Sequence, residues 1–364
     1  MLFATSRQGL IDKLNALTEW CDHSGMVINE DKTEFMAICS DNPADKLPIL
    51  IYPEAGQVSV NHCSSYTYLG AIFTSDAKVS TTLSHHITSR CKSMNKLTIF
   101  LCRNACIPYV VKKKVLDACF NTSLLYGCEG WLGIKPTAEI NAFYMKGIKL
   151  LLGVRHSSPN DACLVESGYP SLEAIIRSRQ KDFFTKMEQE RSEMTDDPLM
   201  FAIALTCEHN KTMRNYIDGL KAAGDIIGED VAARCARLRD GDGTRAVTYR
   251  NINPDLALHP VYDAASRLDD DLRIVFTRFR LASHRLRIET GRWARIPAEE
   301  RFCQCDTGAV QSEKHVLVEC PLVNDIRAKY DAGNIDFRVF MNSEKSVADL
   351  KCLKMLREIM HFFE

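Results

Sequence analysis

The sequence predicts an α+β fold, in which a short section with strands precedes a longer section of helices. Up to residue 75, β-branched and aromatic residues occur in short runs separated by turn formers. After Asp76, apolar residues recur every three or four positions, as on one face of a helix. A small cysteine-rich module is predicted near the carboxyl end, because three cysteines and a histidine lie close together there.

Composition limits the classes of protein to which the chain can belong. Of its 364 residues, 46% are hydrophobic and 26% are charged, which indicates a globular protein of two or three domains. The formal net charge of −1 means that any strongly basic surface must be local. The cysteines lie mostly within apolar helical patterns, as reduced thiols do inside cells. Without a signal sequence or an apolar run of about 18 residues, we expect a nuclear or cytoplasmic protein that does not bind membranes.

The section with strands begins with a helix. Apolar residues at helical spacing predict a helix from about Arg7 to Ser24, and Gly25 lies where a left-handed residue would end it. Four runs of strand-forming residues follow, at residues 32–39, 47–51, 57–60 and 66–73.

The helical section begins with an apolar stripe that runs from Leu83 to Leu101 through several turns. Residues that favour the start of a helix predict three further helices, which begin after Pro108, Thr137 and Ser171. More helices are expected in residues 197–239, and one long helical pattern covers residues 263–290. With a turn predicted at residues 240–243, we divide the chain into four parts: residues 1–75, 76–156, 157–255 and 256–364.

Three motifs occur in a fixed order in the first 131 residues. They are Gly25-x-x-Ile28-Asn29-x-x-Lys32-Thr33-Glu34-x-Met36, then Tyr68-Leu69-Gly70, then Leu124-Leu125-Tyr126-Gly127-Cys128-Glu129-Gly130-Trp131. In this order and spacing they resemble the reverse transcriptase of non-LTR (LINE-type) retrotransposons, and the resemblance extends over nearly the whole chain. The family's Cys/Cys/His/Cys segment has its counterpart at Cys303, Cys305, His315 and Cys320.

The resemblance implies an identity for each of the four parts. Residues 1–75 would be a small α/β remnant of the polymerase palm, namely its carboxy-terminal end. Residues 76–156 would be the helical thumb, and residues 157–255 a helical connector. Residues 256–364 would be a basic C-terminal region that contains a small zinc module.

The resemblance also implies roles for residues of the palm remnant. Lys32 would lie near the incoming nucleotide, where it could donate a proton to the departing pyrophosphate or offset charge. Tyr68, Leu69 and Gly70 would form the primer grip, in which a tight strand turn supports the primer backbone. Considered without the resemblance, Lys32 is an exposed lysine at a strand edge, and Tyr68 to Gly70 is a strand that ends at glycine.

Enzymes of this family polymerise with two magnesium ions, which an adjacent pair of aspartates holds on a β-hairpin. The sequence has adjacent aspartates only at Asp196-Asp197 and Asp269-Asp270-Asp271, which we interpret as solvated residues near helix starts. Met1 to Ala4 resembles the strand that directly follows the catalytic pair. We therefore expect a fragment of an RNA-directed DNA polymerase that lacks the catalytic aspartates, with magnesium acting only in an intact relative.

The expected partners are RNA, DNA or both, which the chain would bind as primer and template without polymerising. An upstream reading frame that supplied the aspartates would restore the enzyme. Two alternatives stay open: a domesticated or degenerate module that binds nucleic acid or protein, and a helical scaffold that binds nothing charged. The oligomeric state stays open as well.

Two basic stretches are candidates for contacts with phosphate. The first two helices of the predicted thumb carry cationic residues beside the apolar stripe, namely Arg90, Lys92, Lys96, Arg103, Lys112, Lys113 and Lys114. Such charges suit phosphate contacts without base selectivity, and they serve equally to solvate a helix.

The second basic stretch runs from Arg273 to Arg301, where eight arginines and three acidic residues leave a local net charge of +5. If the stretch is helical, Arg273, Arg280 and Arg287 share one face with His284. Because the planar guanidinium suits phosphate oxygens, we expect this face to contact nucleic acid, with plain solvation as the alternative.

Cys303, Cys305, His315 and Cys320 are candidate ligands of one structural zinc ion, because three thiolates and an imidazole suit tetrahedral zinc. The nine residues between Cys305 and His315 leave room for the chain to return to the metal. The single residue between Cys303 and Cys305 is fewer than the usual two to four, so unligated core thiols are the alternative. Nearby Arg301 is expected to keep the thiolates ionised.

Overall fold

The structure is a computed structural model of the chain. It describes residues 1–54, 56–104, 106–133, 135, 137–191, 209–241, 244–262, 269–332, 335–342 and 350–363, with the backbone alone at residues 91–95, 102–103, 188, 190–191 and 244–246. The chain divides into two compact units, Met1–Ser89 and Arg90–Glu364. The described residues are mainly helical with a few short strands, which agrees with the α+β fold class. Among them, no helix has the length and apolar character needed to cross a membrane.

Helix α1 (Arg7–Ser24) opens the first unit and confirms the predicted boundaries. The Ser6 hydroxyl accepts a hydrogen bond from the amide of Gly9 at its start, and Gly25 ends it in the left-handed conformation, with φ 66°. Its residue Leu14 lies in a small core with Phe35, Ile51 and other apolar residues of the strands.

Five short strands follow in the first unit: β1 (Glu34–Phe35), β2 (Ile49–Ile51), β3 (Val58–His62), β4 (Ser65–Tyr68) and β5 (Ala71–Thr74). The first three form a sheet of order β1-β3-β2, in which β3 is parallel to β1 and antiparallel to β2. Strands β4 and β5 form a separate antiparallel pair.

Two predicted strands of this unit are wrong in extent. The strand predicted at residues 32–39 is reduced to β1, because the Asn29 side chain accepts from the amide of Lys32 and caps a 3₁₀ turn, Glu30–Lys32. The strand predicted at residues 66–73 is a hairpin, since Leu69 and Gly70 both have positive φ and reverse the chain.

The later elements are almost entirely helical. In chain order they are α2 (Val79–Arg103), α3 (Tyr109–Val115), α4 (Thr122–Leu124), α5 (Ala138–Leu152), α6 (Asn160–Ser167), α7 (Leu172–Arg191), α8 (Lys211–Ala222), α9 (Ile226–Asp240), α10 (Thr244–Ile252), α11 (Asp270–Arg280), α12 (Arg287–Trp293), α13 (Asn324–Lys329), α14 (Phe337–Asn342) and α15 (Leu350–Phe363). A π-helical segment, Leu116–Asn121, joins α3 to α4.

The predicted helix starts are confirmed. Pro108 precedes α3, and the hydroxyls of Thr137 and Ser171 accept hydrogen bonds from the amides of Ile140 and Ala174 in the first turns of α5 and α7. The predictions for residues 192–208, 242–243 and 263–268 lie outside the described residues. The division into four parts stays a prediction.

The long helix predicted over residues 263–290 is wrong, because α11 and α12 are separate helices. Between them, the Ser283 hydroxyl accepts a hydrogen bond from the amide of Arg155 at 2.8 Å, and Ala282 has φ 49°. A distant backbone group therefore stabilises a break that the local pattern does not show. Phe276 and Phe279 of α11 are buried in the core, and α15 packs against α11 and α13.

Candidate metal centre

The first two candidate ligands lie on a short hairpin. Phe302 and Val310 form an antiparallel bridge, and the amide of Cys303 donates to the carbonyl of Ala309 at 2.7 Å. Gly308 reverses the chain at the tip with φ 71°. This tight turn brings Cys305 back beside Cys303, so that both thiols face the same side although one residue separates them.

Of the other two ligands, His315 begins a π-helical turn, His315–Glu319, and Cys320 is the residue that follows it. The Ser312 hydroxyl accepts from the amide of His315 at 3.2 Å and fixes the start of the turn. At its end, the amide of Cys320 donates to the carbonyl of His315 at 2.7 Å, a bond that spans five residues. The widened turn places the imidazole and the thiol together.

The four side chains meet in one buried cluster, which we call the metal centre: Cys303, Cys305, His315 and Cys320. Their ligand atoms all lie within 4.8 Å of one another. The sulfurs of Cys303 and Cys320 are 3.7 Å apart, and the sulfur of Cys305 is 3.3 Å from Nε2 of His315. Metal–ligand bonds of about 2.0–2.3 Å give a tetrahedron with edges of roughly 3.3–3.8 Å. The cluster can hold a metal ion, and the predicted convergence of these residues is confirmed.

The thiols of the metal centre differ in acidity. A hydrogen bond from the Thr307 hydroxyl, with Oγ1 3.0 Å from the sulfur, lowers the pKa of Cys305 to about 6. Burial raises the pKa of Cys320 to about 12. Because a metal binds the thiolate, the more acidic Cys305 gives up its proton to an incoming cation more readily than Cys320 does.

Residues that the sequence prediction missed support the metal centre from outside. The Arg327 guanidinium donates to the carbonyls of Cys320 at 2.5 Å and Leu317 at 3.4 Å. Gln311 Nε2 lies 3.7 Å from the sulfur of Cys303. Arg301, which we expected near the thiolates, instead donates to the carbonyls of Ile288 and Ile296. Arg327 lies seven residues beyond Cys320, and no local pattern marks it.

The imidazole of His315 has two ring nitrogens, of which one can bind a metal and the other needs a hydrogen-bond partner. With Nε2 facing Cys305, the buried Nδ1 has no hydrogen-bond partner among the described residues. Oε2 of Glu319 is 3.7 Å away, and the other oxygen of the same carboxylate, Oε1, lies 2.8 Å from the ammonium of Lys314. A small movement of Glu319 would give the ring the carboxylate contact that metal-bound histidines commonly make.

The predicted arginine face does not exist, since Arg273 and Arg280 are each 1% exposed. Arg273 Nε lies 2.6 Å from Asp270, and Arg280 NH2 lies 2.7 Å from Glu166. Both heads are directed into the core, so the expectation that they contact phosphate is wrong.

Lys112 is also buried, so its predicted contact with nucleic acid is wrong too. Its ammonium donates to the carbonyl of Leu101 at 2.9 Å and pairs with Asp270 at 2.5 Å. Asp270 does lie at a helix start as predicted, but it is not solvated. We call these five residues the buried ion-pair cluster: Lys112, Glu166, Asp270, Arg273 and Arg280.

The remaining predicted thumb residues have different surroundings. Lys96 is exposed, Arg90 donates to the carbonyl of Ser123 at 3.4 Å, and the side chain of Lys92 lies outside the described residues. The ammonium of Lys113 donates to the carbonyl of Ser167 at 3.2 Å, beside the ring of Tyr169. Their role in binding nucleic acid stays a prediction.

In the first unit, Lys32 is exposed, and its carbonyl accepts a hydrogen bond from the hydroxyl of Tyr66 at 3.2 Å. Tyr68, Leu69 and Gly70 form the tip of the β4–β5 hairpin, where Leu69 is 77% exposed. The tight turn that we expected is present, and its role as a primer grip stays a prediction.

Arg287 is the predicted arginine that stays at the surface. Its guanidinium donates to the carbonyl of Phe302 at 3.2 Å, and its amide donates to Gln311 at 2.7 Å. It therefore lies directly against the hairpin that carries Cys303.

The chain was compared with known proteins. No protein-family model matches it, and no curated protein matches it.

Proposed function

We propose that this chain is the carboxy-terminal part of a reverse transcriptase of the non-LTR type, and that it binds nucleic acid through a zinc-stabilised module without polymerising. The observation that carries the proposal is the metal centre, in which the four residues of the Cys/Cys/His/Cys segment lie within 4.8 Å of one another. The resemblance of the ordered motifs supports the family. In the run Asp269-Asp270-Asp271 the middle carboxylate is buried and paired with Lys112 and Arg273, so no two adjacent aspartates of that run are both available to hold magnesium.

The donor set favours zinc over other metals. Three sulfurs and one imidazole nitrogen form a closed tetrahedral set, which is typical of structural zinc and leaves no position for a reacting water. Bound there, zinc would hold the hairpin of Cys303 and Cys305 to the π-helical turn of His315 and Cys320. We therefore propose a structural role, in which the metal fixes the shape of the surface around it.

That surface carries the features expected for contacts with a nucleic-acid strand. We call it the arginine–aromatic surface, and it consists of the exposed residues Arg285, Arg287, Trp293, Arg295 and Phe302. Trp293 is 54% exposed, and the guanidinium of Arg155 lies 4.9 Å from its ring centroid. Arginine heads suit phosphates, and an exposed indole suits the face of an unpaired base.

The charge of this surface limits its affinity. The carboxylate of Glu289 forms an ion pair with the guanidinium of Arg292 at 2.6 Å, but Glu299 and Glu300 are exposed on the adjacent 3₁₀ turn. The exposed arginines thus exceed the exposed acids only slightly. We expect weak binding that depends strongly on salt and little on sequence.

Metal analysis of the purified full chain tests the proposal. We expect one zinc per chain by inductively coupled plasma mass spectrometry, which Cys320→Ser abolishes. Cys128→Ser serves as the matched control, because Cys128 is equally buried but lies outside the metal centre. Zinc well below one per chain, or zinc that Cys320→Ser leaves unchanged, would overturn the proposal.

A further inference from the structure

The second unit contains a cavity of about 410 Å³ that no part of the proposed function uses. Its polar lining comes from the end of α11, from His284 after it, from the residue after α13 and from one face of α15, and consists of Arg278, His284, Tyr330, Lys354, Arg357, Glu358 and His361. His284 already contacts the carboxylate of Glu313 at 2.9 Å, so we do not count it among the free charges of the cavity. Val275 and Met360 supply an apolar part of the wall. This volume lies within the range of about 300–1,000 Å³ that is typical of small-molecule sites.

The cavity is strongly cationic. The carboxylate of Glu358 accepts hydrogen bonds from the ammonium of Lys329 and the hydroxyl of Tyr330, each at 2.9 Å. Lys354 and Arg357 are exposed, and neither pairs with an acidic residue in the part of the chain that the structure describes. Arg278, Lys354 and Arg357 therefore leave about three positive charges around one opening.

The arrangement of these charges on α15 favours a bound anion. Lys354, Arg357 and His361 follow one another at spacings of three and four residues, so they share one face of α15. Leu356, on the opposite side of the helix, is buried, and so is Leu353, which flanks the charged face beside Arg357. Like charges at this spacing repel one another. Directed at a cavity, they form a site that a bound anion would stabilise.

The position of Arg278 is fixed before any ligand arrives. Its Nε donates to the carbonyl of Gly153 at 2.7 Å, which leaves the terminal nitrogens of the guanidinium for another acceptor. A planar guanidinium binds two oxygens of a phosphate, and an ammonium adds a compact charge. Two guanidinium groups and one ammonium suit a doubly charged phosphate better than a singly charged one.

We propose that this cavity binds a phosphate monoester, the dianionic group of a free nucleotide or of the phosphorylated end of a nucleic-acid strand. Arg278, Lys354 and Arg357 bind the phosphate, while Val275 and Met360 contact the sugar or base. None of these residues belongs to the metal centre or to the arginine–aromatic surface. The inference goes beyond the proposed function and holds whether or not zinc is bound.

Calorimetric titration of the full chain in about 0.15 M salt, where exposed charges are screened beyond about 8 Å, tests the site. The probes are adenosine 5′-monophosphate against adenosine, and a 5′-phosphorylated oligonucleotide against the same strand with a 5′-hydroxyl. We expect each phosphorylated probe to bind at least tenfold more tightly than its partner. If adenosine 5′-monophosphate binds as tightly as the 5′-phosphorylated oligonucleotide, a free nucleotide is enough to fill the site. If the phosphorylated oligonucleotide binds more tightly, the ligand is the phosphorylated end of a strand.

Substitutions distinguish binding of the phosphorylated probe in this cavity from attraction by the overall charge of the protein. Arg357→Gln and Lys354→Gln should each weaken binding of the better phosphorylated probe by about tenfold, because each removes a charged hydrogen-bond donor from the phosphate. The controls Arg239→Gln and Lys211→Gln remove the same charge from exposed helical positions that do not line the cavity, and should change affinity less than twofold. Since all four positions are exposed, the variants should fold. Equal weakening in all four variants, or no preference for phosphorylated probes, would overturn the inference.

Discussion

The metal centre and the buried ion-pair cluster both lie in the second unit, but they join residues that are separated by very different lengths of chain. Cys303 and Cys320 are 17 residues apart, whereas Lys112 and Asp270 are 158 residues apart. The metal centre can therefore order around an ion within one short segment. The buried ion-pair cluster forms only when distant helices are packed. The metal centre therefore depends on one short segment of the chain, whereas the buried ion-pair cluster depends on the fold of the whole unit.

The largest expected effect comes from removing the charge at the centre of the buried ion-pair cluster. Asp270→Asn leaves the ammonium of Lys112 and the guanidinium of Arg273 buried without their counter-ion. We expect the free energy of unfolding to fall by about 3–5 kcal/mol. Urea denaturation followed by circular dichroism measures it.

An exposed ion pair supplies the control for that variant. Asp161 pairs with Arg237 at 2.9 Å, and both side chains are partly solvated. Asp161→Asn should cost at most about 1 kcal/mol, because water can solvate the guanidinium in place of the carboxylate. If the two variants lost similar stability, burial of the cluster would not explain its contribution.

The second prediction concerns pH and His259. Burial and, to a lesser extent, the charge of Arg280 lower the pKa of His259 from 6.5 to about 3. The imidazole is thus neutral in the folded protein, while the unfolded chain takes up its proton below pH 6.5. Between pH 6.5 and 3 the unfolded state binds more protons, so stability falls as pH falls, by up to about 1.4 kcal/mol per pH unit from this residue.

This pH dependence is measured by urea denaturation at several pH values and by NMR titration of the imidazole. His259→Gln should flatten the slope below pH 6.5, whereas His85→Gln, at an exposed position, should leave it unchanged. An imidazole of His259 that titrates near 6.5 in the folded protein would contradict the prediction.

Removal of the metal should have a smaller and local effect. In the presence of a chelator, we expect amide hydrogen exchange in residues 301–320 to accelerate at least tenfold, or about 1.4 kcal/mol of local opening. Exchange in α11 should stay unchanged, because its ion pairs need no metal. Mass spectrometry of deuterium uptake measures both regions in one experiment. Equal acceleration in both would show that the two clusters are not independent.

The smallest effect concerns the arginine–aromatic surface. Changing Arg285, Arg287 and Arg295 together to glutamine should lower the log-log salt slope of oligonucleotide binding by about one for each phosphate that an arginine neutralises. The matched control changes three exposed cations elsewhere, namely Lys135, Lys211 and Arg239. Fluorescence anisotropy with a labelled single strand gives the slopes. Identical slopes for the two triple variants would assign the arginines to solvation alone.

Features that depend on neighbouring residues were predictable from the sequence. The end of α1 at Gly25 and the starts of helices at Thr137 and Ser171 follow from side chains within three residues of the backbone groups they affect. The metal centre belongs to the same class, because its ligands lie in one short segment.

Features that depend on distant partners were not predictable. The spacing of Arg273 and Arg280 indicates a shared face, but it does not show that Asp270 and Glu166 neutralise them in the core. Leu69 adopts φ 48° at a turn position where glycine or asparagine is favoured, so Gly70 alone marks the hairpin in the sequence. Spacing along one element predicts which residues share a face, and the rest of the fold decides whether that face is buried.

The π-helical turn at His315 makes the metal centre sensitive to the length of the chain. The bond from the amide of Cys320 to the carbonyl of His315 spans five residues, one more than in an α-helix. Deleting any one residue from positions 316–319 would allow an ordinary α-helical bond to the same carbonyl, yet it would rotate the thiol about the helix axis and away from its neighbours. A relative with three residues between this histidine and cysteine would thus need a different path for its hairpin. The number of residues between the histidine and the cysteine can therefore be used to group related modules into lineages.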